Sequence, residues 1–389
     1  MIHYKKNFSK TFKKKPINSI AIKLLKSLIN ENNEILNSFK TSYKDKFNNR
    51  LIKKLQKFKT TLLIGMGGSI LGSKAIYNFL KKKNNNKKFI FIDNLNAKIK
   101  KNLIEKRKLN IVISKSGNTL ETISNFNIVK NKYDKNIFVT EDRKTYLFKL
   151  ANKLSSEIVH HNKFIGGRFS VLSEVGMLPA ELMGFNRNKF RKLKQLMNNK
   201  KFLNTLINSA LSQYYFIKKN KTNSIILNYD KNSIEFLEWY QQLVAESLGK
   251  KNLGILPIIS NLPKDNHSIM QNYLDGPKKN FFTFFYVKEK LSNKIKNKNL
   301  YTTHKYLKKK SLDKIIYAQF SATQKVFEKK KIPFRTFIVE NRNEESIGEL
   351  FIFFMLETVL LGKLLKINPY DQPAVELIKK ETLRLLKKS

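Results

Sequence analysis

Two loops carry glycines and hydroxyls in patterns suited to an anion. Residues 61–72, TLLIGMGGSILG, run from an apolar stretch into Gly65, Gly67, Gly68, Ser69 and Gly72 ahead of a helix-like segment, 73–80. Glycines let backbone amides face an anion, and a following helix N-terminus favours negative charge. The plain alternative is a tight strand-to-helix turn. The segment has neither the spaced acid of a dinucleotide site nor the Lys-Ser/Thr of a nucleotide P-loop. A second apolar stretch, 111–114, ends in SKSGNTLET, which puts Ser114, Ser116 and Thr119 in one loop before a helix at 121–130. Three hydroxyls and loop amides at a strand's carboxyl end can nest a phosphate dianion, and helix capping by Asn118 or Thr119 is the competing use. Two such loops after strands of one sheet favour the phosphate.

The elements that must position these loops show in the hydrophobic pattern. Between residues 42 and 185, short apolar runs at 61–64, 89–92, 111–113 and 137–139 alternate with helical stretches. That is the pattern of buried parallel strands in an open, doubly wound α/β sheet, where ligands bind at the carboxyl ends of strands. A second set follows: a helix at 203–218, a strand at 224–227, a helix at 233–248, strands at 255–259 and 281–287, and a strand at 333–339. Residues 288–310, rich in Lys and Asn, read as an exposed loop or subunit arm. Helices at 346–366 and 373–386 close the chain. The expected domains are 42–190, 200–360 and a C-terminal helical segment, 361–389, and a chain of 389 residues is long enough for two cores.

Composition narrows the function classes. The formal charge is +48, from 77 Lys+Arg against 29 Asp+Glu, which raises nucleic acid or an anionic membrane as partner. Only nine of the basic residues are Arg, they lie in scattered runs (13–15, 81–83, 308–310, 329–331), and no aromatic interleaving accompanies them. Base reading favours Arg forks and stacking aromatics, so no specific nucleic-acid partner is expected. Abundant Lys, Asn and Ile is what an AT-biased genome imposes, and the surface it makes still draws phosphorylated anions. No cysteine is present. The five histidines, His3, His160, His161, His267 and His304, show no metal-ligand spacing, so neither metal nor organic cofactor is expected. Residues 1–16 are basic without an apolar core, and the most apolar stretch, 350–362, is short and interrupted by Glu357. Neither a secretion signal nor a membrane span is expected, and the cytoplasm fits. The eight lysines and no acid of residues 1–30 resemble a transit peptide only faintly, since those favour Arg and Ser.

Six motifs taken together identify a family. GMGGSILG, SKSGNTLET, GGRFSVLSEVGMLPAELMGF (166–185), QLVAESLGK (242–250), DNHS (265–268) and INPYDQPAVELIK (367–379) occur in the order found in glucose-6-phosphate isomerases, and the chain resembles that family from about residue 42 to 380. The first two motifs alone would be shared with aminosugar enzymes and transcriptional regulators. The resemblance implies an α/β fold of two sugar-isomerase (SIS) domains, each a parallel sheet flanked by helices in three αβα layers, with a C-terminal helical extension. It implies aldose–ketose isomerisation through an enediol(ate), acting on a small sugar phosphate.

Carried over position by position, the resemblance makes Ser69, Ser114, Ser116, Thr119 and Gln242 the phosphate ligands, with Gly67, Gly68 and Lys115 close to substrate. It makes Glu246 the base that moves a proton between C1 and C2. A carboxylate suits that task, and the apolar neighbours Leu243, Val244, Ala245 and Leu248 would desolvate it. Arg168 would stabilise the enediolate oxygen as a cation that does not titrate away. His267, supplied by the neighbouring subunit of a homodimer, and Lys379, brought in by the C-terminal helix, would serve ring opening. Departures from the family pattern are Ser116 and Asn118 for threonine, Val244 for tryptophan, Asn266 for glutamine and Ala374 for glycine. An aminosugar-phosphate or mannose-phosphate isomerase should lack the QxxxESxGK and DQPxVExxK combination. A silent sugar-phosphate sensor has no need of Glu246, Arg168, His267 and Lys379.

Overall fold

A computed structural model describes residues 2–6, 17–80, 87–96, 98, 107–141, 144–296 and 300–388. Ten strands, β1 (Ile2–Lys6), β2 (Thr60–Gly65), β3 (Lys88–Ile92), β4 (Leu109–Ile113), β5 (Lys135–Thr140), β6 (Glu157–His160), β7 (Asn223–Asn228), β8 (Leu256–Asn261), β9 (Asn280–Val287) and β10 (Phe334–Val339), form two five-stranded sheets. The α/β class and the two helix-flanked sheets expected from the sequence are present. The basic runs at 13–15 and 81–83 lie outside the described residues.

The first sheet is parallel throughout, in the order β3-β2-β4-β5-β6. Its central strand β4 is buried along its whole length, which is why LNIVI reads as a continuous apolar run. The chain steps from β2 outward to β3, then returns to the other side of β2 as β4. That reversal makes the β2/β4 boundary the switch point where an α/β sheet opens a crevice. Gly65 pairs with Ile113 at the ends of these two strands, so the two hydroxyl-bearing loops leave the sheet side by side.

The second sheet, β1-β10-β9-β7-β8, corrects one expectation. It is parallel except at its edge, where β1 pairs antiparallel with β10, Ile2 opposite Val339 and Lys6 opposite Arg335. The sequence IHYKK has no apolar run to announce it, because an edge strand need not be buried on both faces. β6 is short and was not evident in the sequence either. The 288–310 segment is mostly exposed where described and holds only a short turn, Thr302–Leu307, and a single bridge between Lys294 and Ser311.

The Glu344–Leu365 helix is buried on nearly every face and packs against the Ile17–Asn30, Lys200–Lys218 and Ile234–Leu248 helices. An all-round apolar helix of this kind is a core helix. Glu357, the acid that interrupts its apolar run, is 1% exposed and accepts from Arg335 Nη1 at 2.6 Å. Arg335 is held in turn by Thr283, Ser209 and Tyr240. A buried charge tolerated this way needs every partner in place. Among the described residues no helix is long and apolar enough to cross a membrane.

Candidate active site

The loop after β2 folds as a turn over Gly67–Ser69, with Gly67 at φ +50°. A Cβ on Gly67 would lie 2.7 Å from Gln242 Nε2, and one on Gly68 would lie 2.1 Å from the Gly167 carbonyl carbon. Gly68 is required because backbone packs on backbone there, and Gly67 because its φ lies in the left-handed region, and the turn is pressed against both the 166–168 segment and the Gln242 side chain. The sequence presented these as three separate motifs. The structure makes them one surface.

In the neighbouring loop Ser114 is buried, and its Oγ lies 2.8 Å from Thr119 Oγ1 while accepting from the Gly117 amide at 3.1 Å. Ser116 is exposed, with its Oγ accepting from the Asn118 amide at 3.3 Å. Thr119 occupies the N-cap position of the Leu120–Val129 helix but makes no side-chain bond to it, and Asn118 Oδ1 accepts instead from the Tyr146 amide. The capping use of these side chains is thus not realised. Lys115 donates to the Lys163 carbonyl at 2.7 Å and lies 3.8 Å from Glu141.

Gln242 and Glu246, four residues apart on the Ile234–Leu248 helix, share a face. Gln242 Nε2 donates to Glu246 Oε1 at 2.8 Å, and Arg168 Nη1 donates to Glu246 Oε2 at 3.1 Å. The apolar neighbours Leu243, Val244 and Leu248 turn the other way, into the core. The Glu246 side chain is 32% exposed, so the desolvated carboxylate expected from the sequence is replaced by one clamped between an amide and a guanidinium. Gln242 Oε1 is buried without a partner among the described residues, leaving an acceptor for a ligand hydroxyl.

Arg168 is 3% exposed. Besides Glu246, its Nε donates to Ser247 Oγ at 2.8 Å, Nη1 to Gln372 Oε1 at 2.6 Å, and Nη2 to the carbonyls of Pro369 at 2.7 Å and Asp371 at 3.1 Å. Burial holds the guanidinium below its ordinary value against the opposing pull of Glu246 and Asp371, and it stays a cation. Ser247, Gln372 and Lys250, which pairs with Asp371 at 2.8 Å, were not singled out in the sequence although all lie inside quoted motifs. Their signal was adjacency to Glu246 and the DQP tripeptide. A cavity of about 810 Å³ opens beside this cluster, lined by Glu246, Lys250, Leu253, Ile367, Gln372 and Val375 among others.

His267 and Lys379 do not join the cluster. His267 is exposed, on the Lys264–His267 turn after β8. Neighbouring Asp265 anchors that turn by accepting from Ser260 Oγ and the Asn261 amide. Lys379 is 64% exposed on the Val375–Leu386 helix, none of whose residues is buried, and its partner is Glu376 at 2.6 Å. Among the described residues no group of His, Cys, Asp or Glu could hold a metal ion. A separate cavity of about 660 Å³ at the N-terminal ends of β7, β9 and β10 shares no residue with the cluster.

Residues 26–253 match the phosphoglucose isomerase family. Glucose-6-phosphate isomerase of Methanocaldococcus jannaschii is 33% identical over 352 residues, 86% of each chain. The protein of the same name from Mycoplasmopsis pulmonis is 32% identical, covering 86% of this chain and 84% of that one. Among solved structures, a hypothetical protein of Thermus thermophilus superposes with a TM-score of 0.80 at 22% identity over 95% of each chain. A glucose-6-phosphate isomerase from Chlamydia trachomatis superposes at 0.71 and 20% identity, over 87% of this chain and 72% of that one. These structural likenesses speak to the fold.

Proposed function

Because the chain belongs to the phosphoglucose isomerase family, we propose that it is a glucose-6-phosphate isomerase: it interconverts D-glucose 6-phosphate and D-fructose 6-phosphate by ring opening and proton transfer through a cis-enediol(ate). The observation that carries the reading is the clamped carboxylate. Glu246 lies at the edge of a cavity large enough for a hexose phosphate, its oxygens oriented by Gln242 and Arg168, with the glycine turn of residues 67–69 pressed against Gln242. Glu246 takes the proton from C2 and returns it to C1 on the same face, or the reverse. Arg168, fixed beside it, takes up charge on the enediolate oxygen.

Ser114, Ser116 and Thr119, with loop amides, and Ser69 from the adjacent loop bind the phosphate. Lys115, Gly67 and Gly68 lie close to it. Gln242 reaches toward this group from the same helix face as Glu246. Proton transfer through an enediol needs no electron sink, so the mechanism uses neither metal nor cofactor.

Ring opening falls to His267 and Lys379. Val375, Lys379, Thr382 and Leu386 follow one another at helical spacing and share a face, and Val375 already rims the cavity beside Glu246. Packing of that face over the cavity would cover exposed apolar side chains and carry Lys379 inward. The exposed His267 is assigned to a homodimer, in which His267 of the partner subunit completes each site. The enzyme is placed in the cytoplasm.

The test is glucose 6-phosphate formation from fructose 6-phosphate with chelator present. Activity that survives the chelator and disappears in Glu246→Gln supports both reaction and base. An inactive, folded, dimeric wild type overturns the reading.

A further inference from the structure

The loop that carries Arg168 leaves the first sheet after β6 and ends where the Glu174–Leu182 helix begins. Its two ends are tied at one buried carboxylate. His161 Nδ1 lies 3.0 Å from Glu174 Oε1, the Asn162 amide donates to the same oxygen at 2.7 Å, and the Tyr43 hydroxyl donates to Oε2 at 3.0 Å. Glu174 is 0% exposed and His161 4%. Around this knot, Asn162 Nδ2 donates to Glu34 Oε2 at 2.6 Å, and the Arg191 guanidinium lies 5.0 Å from the Tyr43 ring centroid. Arg191 also forks onto Asp45 and donates through Nη2 to the Leu172 carbonyl at 2.8 Å, farther along the same loop.

The knot is an expensive way to close a loop. A buried carboxylate without a Lys or Arg partner must be held by hydrogen bonds, and an apolar staple would close the same gap at lower cost. Burial pushes the Glu174 carboxyl up, yet the hydrogen bond and charge of His161, with the Asn162 amide, hold it below the ordinary value. His161 Nε2 is itself buried without a partner among the described residues. What such a knot supplies is direction: three short bonds at the neck of the loop fix where Gly166, Gly167 and Arg168 stand.

We propose that Glu174, with His161 and Tyr43, forms a positioning clasp for Arg168: it sets the guanidinium against Glu246 by closing the neck of the 161–174 loop. The role assigned to Arg168 rests on the isomerase reading above; the geometry of the clasp does not. None of the three residues touches Glu246 in any hydrogen bond of the structure, so the clasp acts through the backbone that bears Arg168.

The experiment is a double-variant cycle in the purified full-length protein. Glu174→Gln should lower kcat for fructose 6-phosphate by about tenfold while KM moves less than about twofold, because no clasp residue bonds to the 67–69 or 114–119 loops. Glu174→Asp should recover part of the loss. In an Arg168→Ala background the same substitution should cost nothing further, since the group it positions is gone. Losses that multiply in the double variant, or a kcat in folded Glu174→Gln within about twofold of wild type, overturn the clasp. If Glu174→Gln does not fold, Tyr43→Phe decides, with a smaller kcat loss that likewise vanishes in the Arg168→Ala background. Hydrogen exchange separates this inference from the functional reading: should the wild type prove inactive, amides of residues 162–172 must still exchange faster, by about tenfold, in Glu174→Gln. Unchanged exchange there overturns the clasp whatever the enzyme does.

Discussion

Arg168 places all five of its N–H donors inside the chain, on Ser247, Glu246, Gln372 and two carbonyls, whereas Lys379 meets only Glu376, three residues back on an exposed helix. Both are cations assigned to one reaction. The first is held by segments far apart in sequence and cannot move without breaking them. The second is held by a surface pair that fixes little. Groups assembled by the packing of one chain carry stability along with chemistry, and groups left at the surface carry chemistry only when something covers them.

That contrast can be broken most sharply at Glu246. Replacing it by Gln keeps the shape and the Arg168 contact, so kcat should fall by about a thousandfold or more while Tm stays near wild type. Near-normal turnover in that variant removes Glu246 as the base. Arg168→Ala should lower kcat by about a hundredfold or more and also cost about 2 kcal/mol in stability, read by denaturant titration, because several buried acceptors lose their donor. Arg168→Lys should recover little, since an ammonium lacks the five-donor fork.

The surface groups should behave otherwise. Lys379→Ala and His267→Ala should each lower turnover, by about tenfold or more, with Tm unmoved, and mixing His267→Ala with Glu246→Gln should restore activity through hybrid dimers. A Lys379→Ala variant that loses stability as well would mean that its helix is already packed. Ser116→Ala, at the exposed lip of the 114–119 loop, should mainly raise KM, by a few-fold.

The smallest effect tests the clasp by pH. The Glu174 carboxyl titrates lower folded than unfolded, so its contribution to stability is present above about pH 4 and is lost as pH falls through the folded-state value. The stability gap between wild type and Glu174→Gln should narrow in acid, and a constant gap would show that the carboxyl is not held ionised.

Much of the candidate site was legible because its parts are local. A glycine turn, a serine-rich loop and a helix bearing Gln242 and Glu246 each announce themselves within a dozen residues. The environment of Glu246 was misread for the same reason: neighbours in sequence stand on other faces of the helix, and the carboxylate looks at Arg168 instead of Leu243. Val244, named as a departure from the family pattern, is buried in the core behind that face. β1 escaped notice because an edge strand of mixed polarity leaves no periodic mark, and Ser247, Gln372 and Glu174 because a bond between distant residues leaves none at all.

By itself the sequence determined the α/β class, the order of most strands and helices, the family, and the short motifs that hold the candidate site residues. These follow from hydrophobic period, turn chemistry and motif, all properties of short stretches of chain. Only the tertiary structure decided that β2 and β4 adjoin at the switch point, that the 67–69 turn packs on Gly167 and Gln242, and that Arg168 closes against Glu246 while Lys379 and His267 remain outside. Strand order, close backbone approach and the satisfaction of a buried guanidinium are settled by packing across the whole chain, where no local pattern records them.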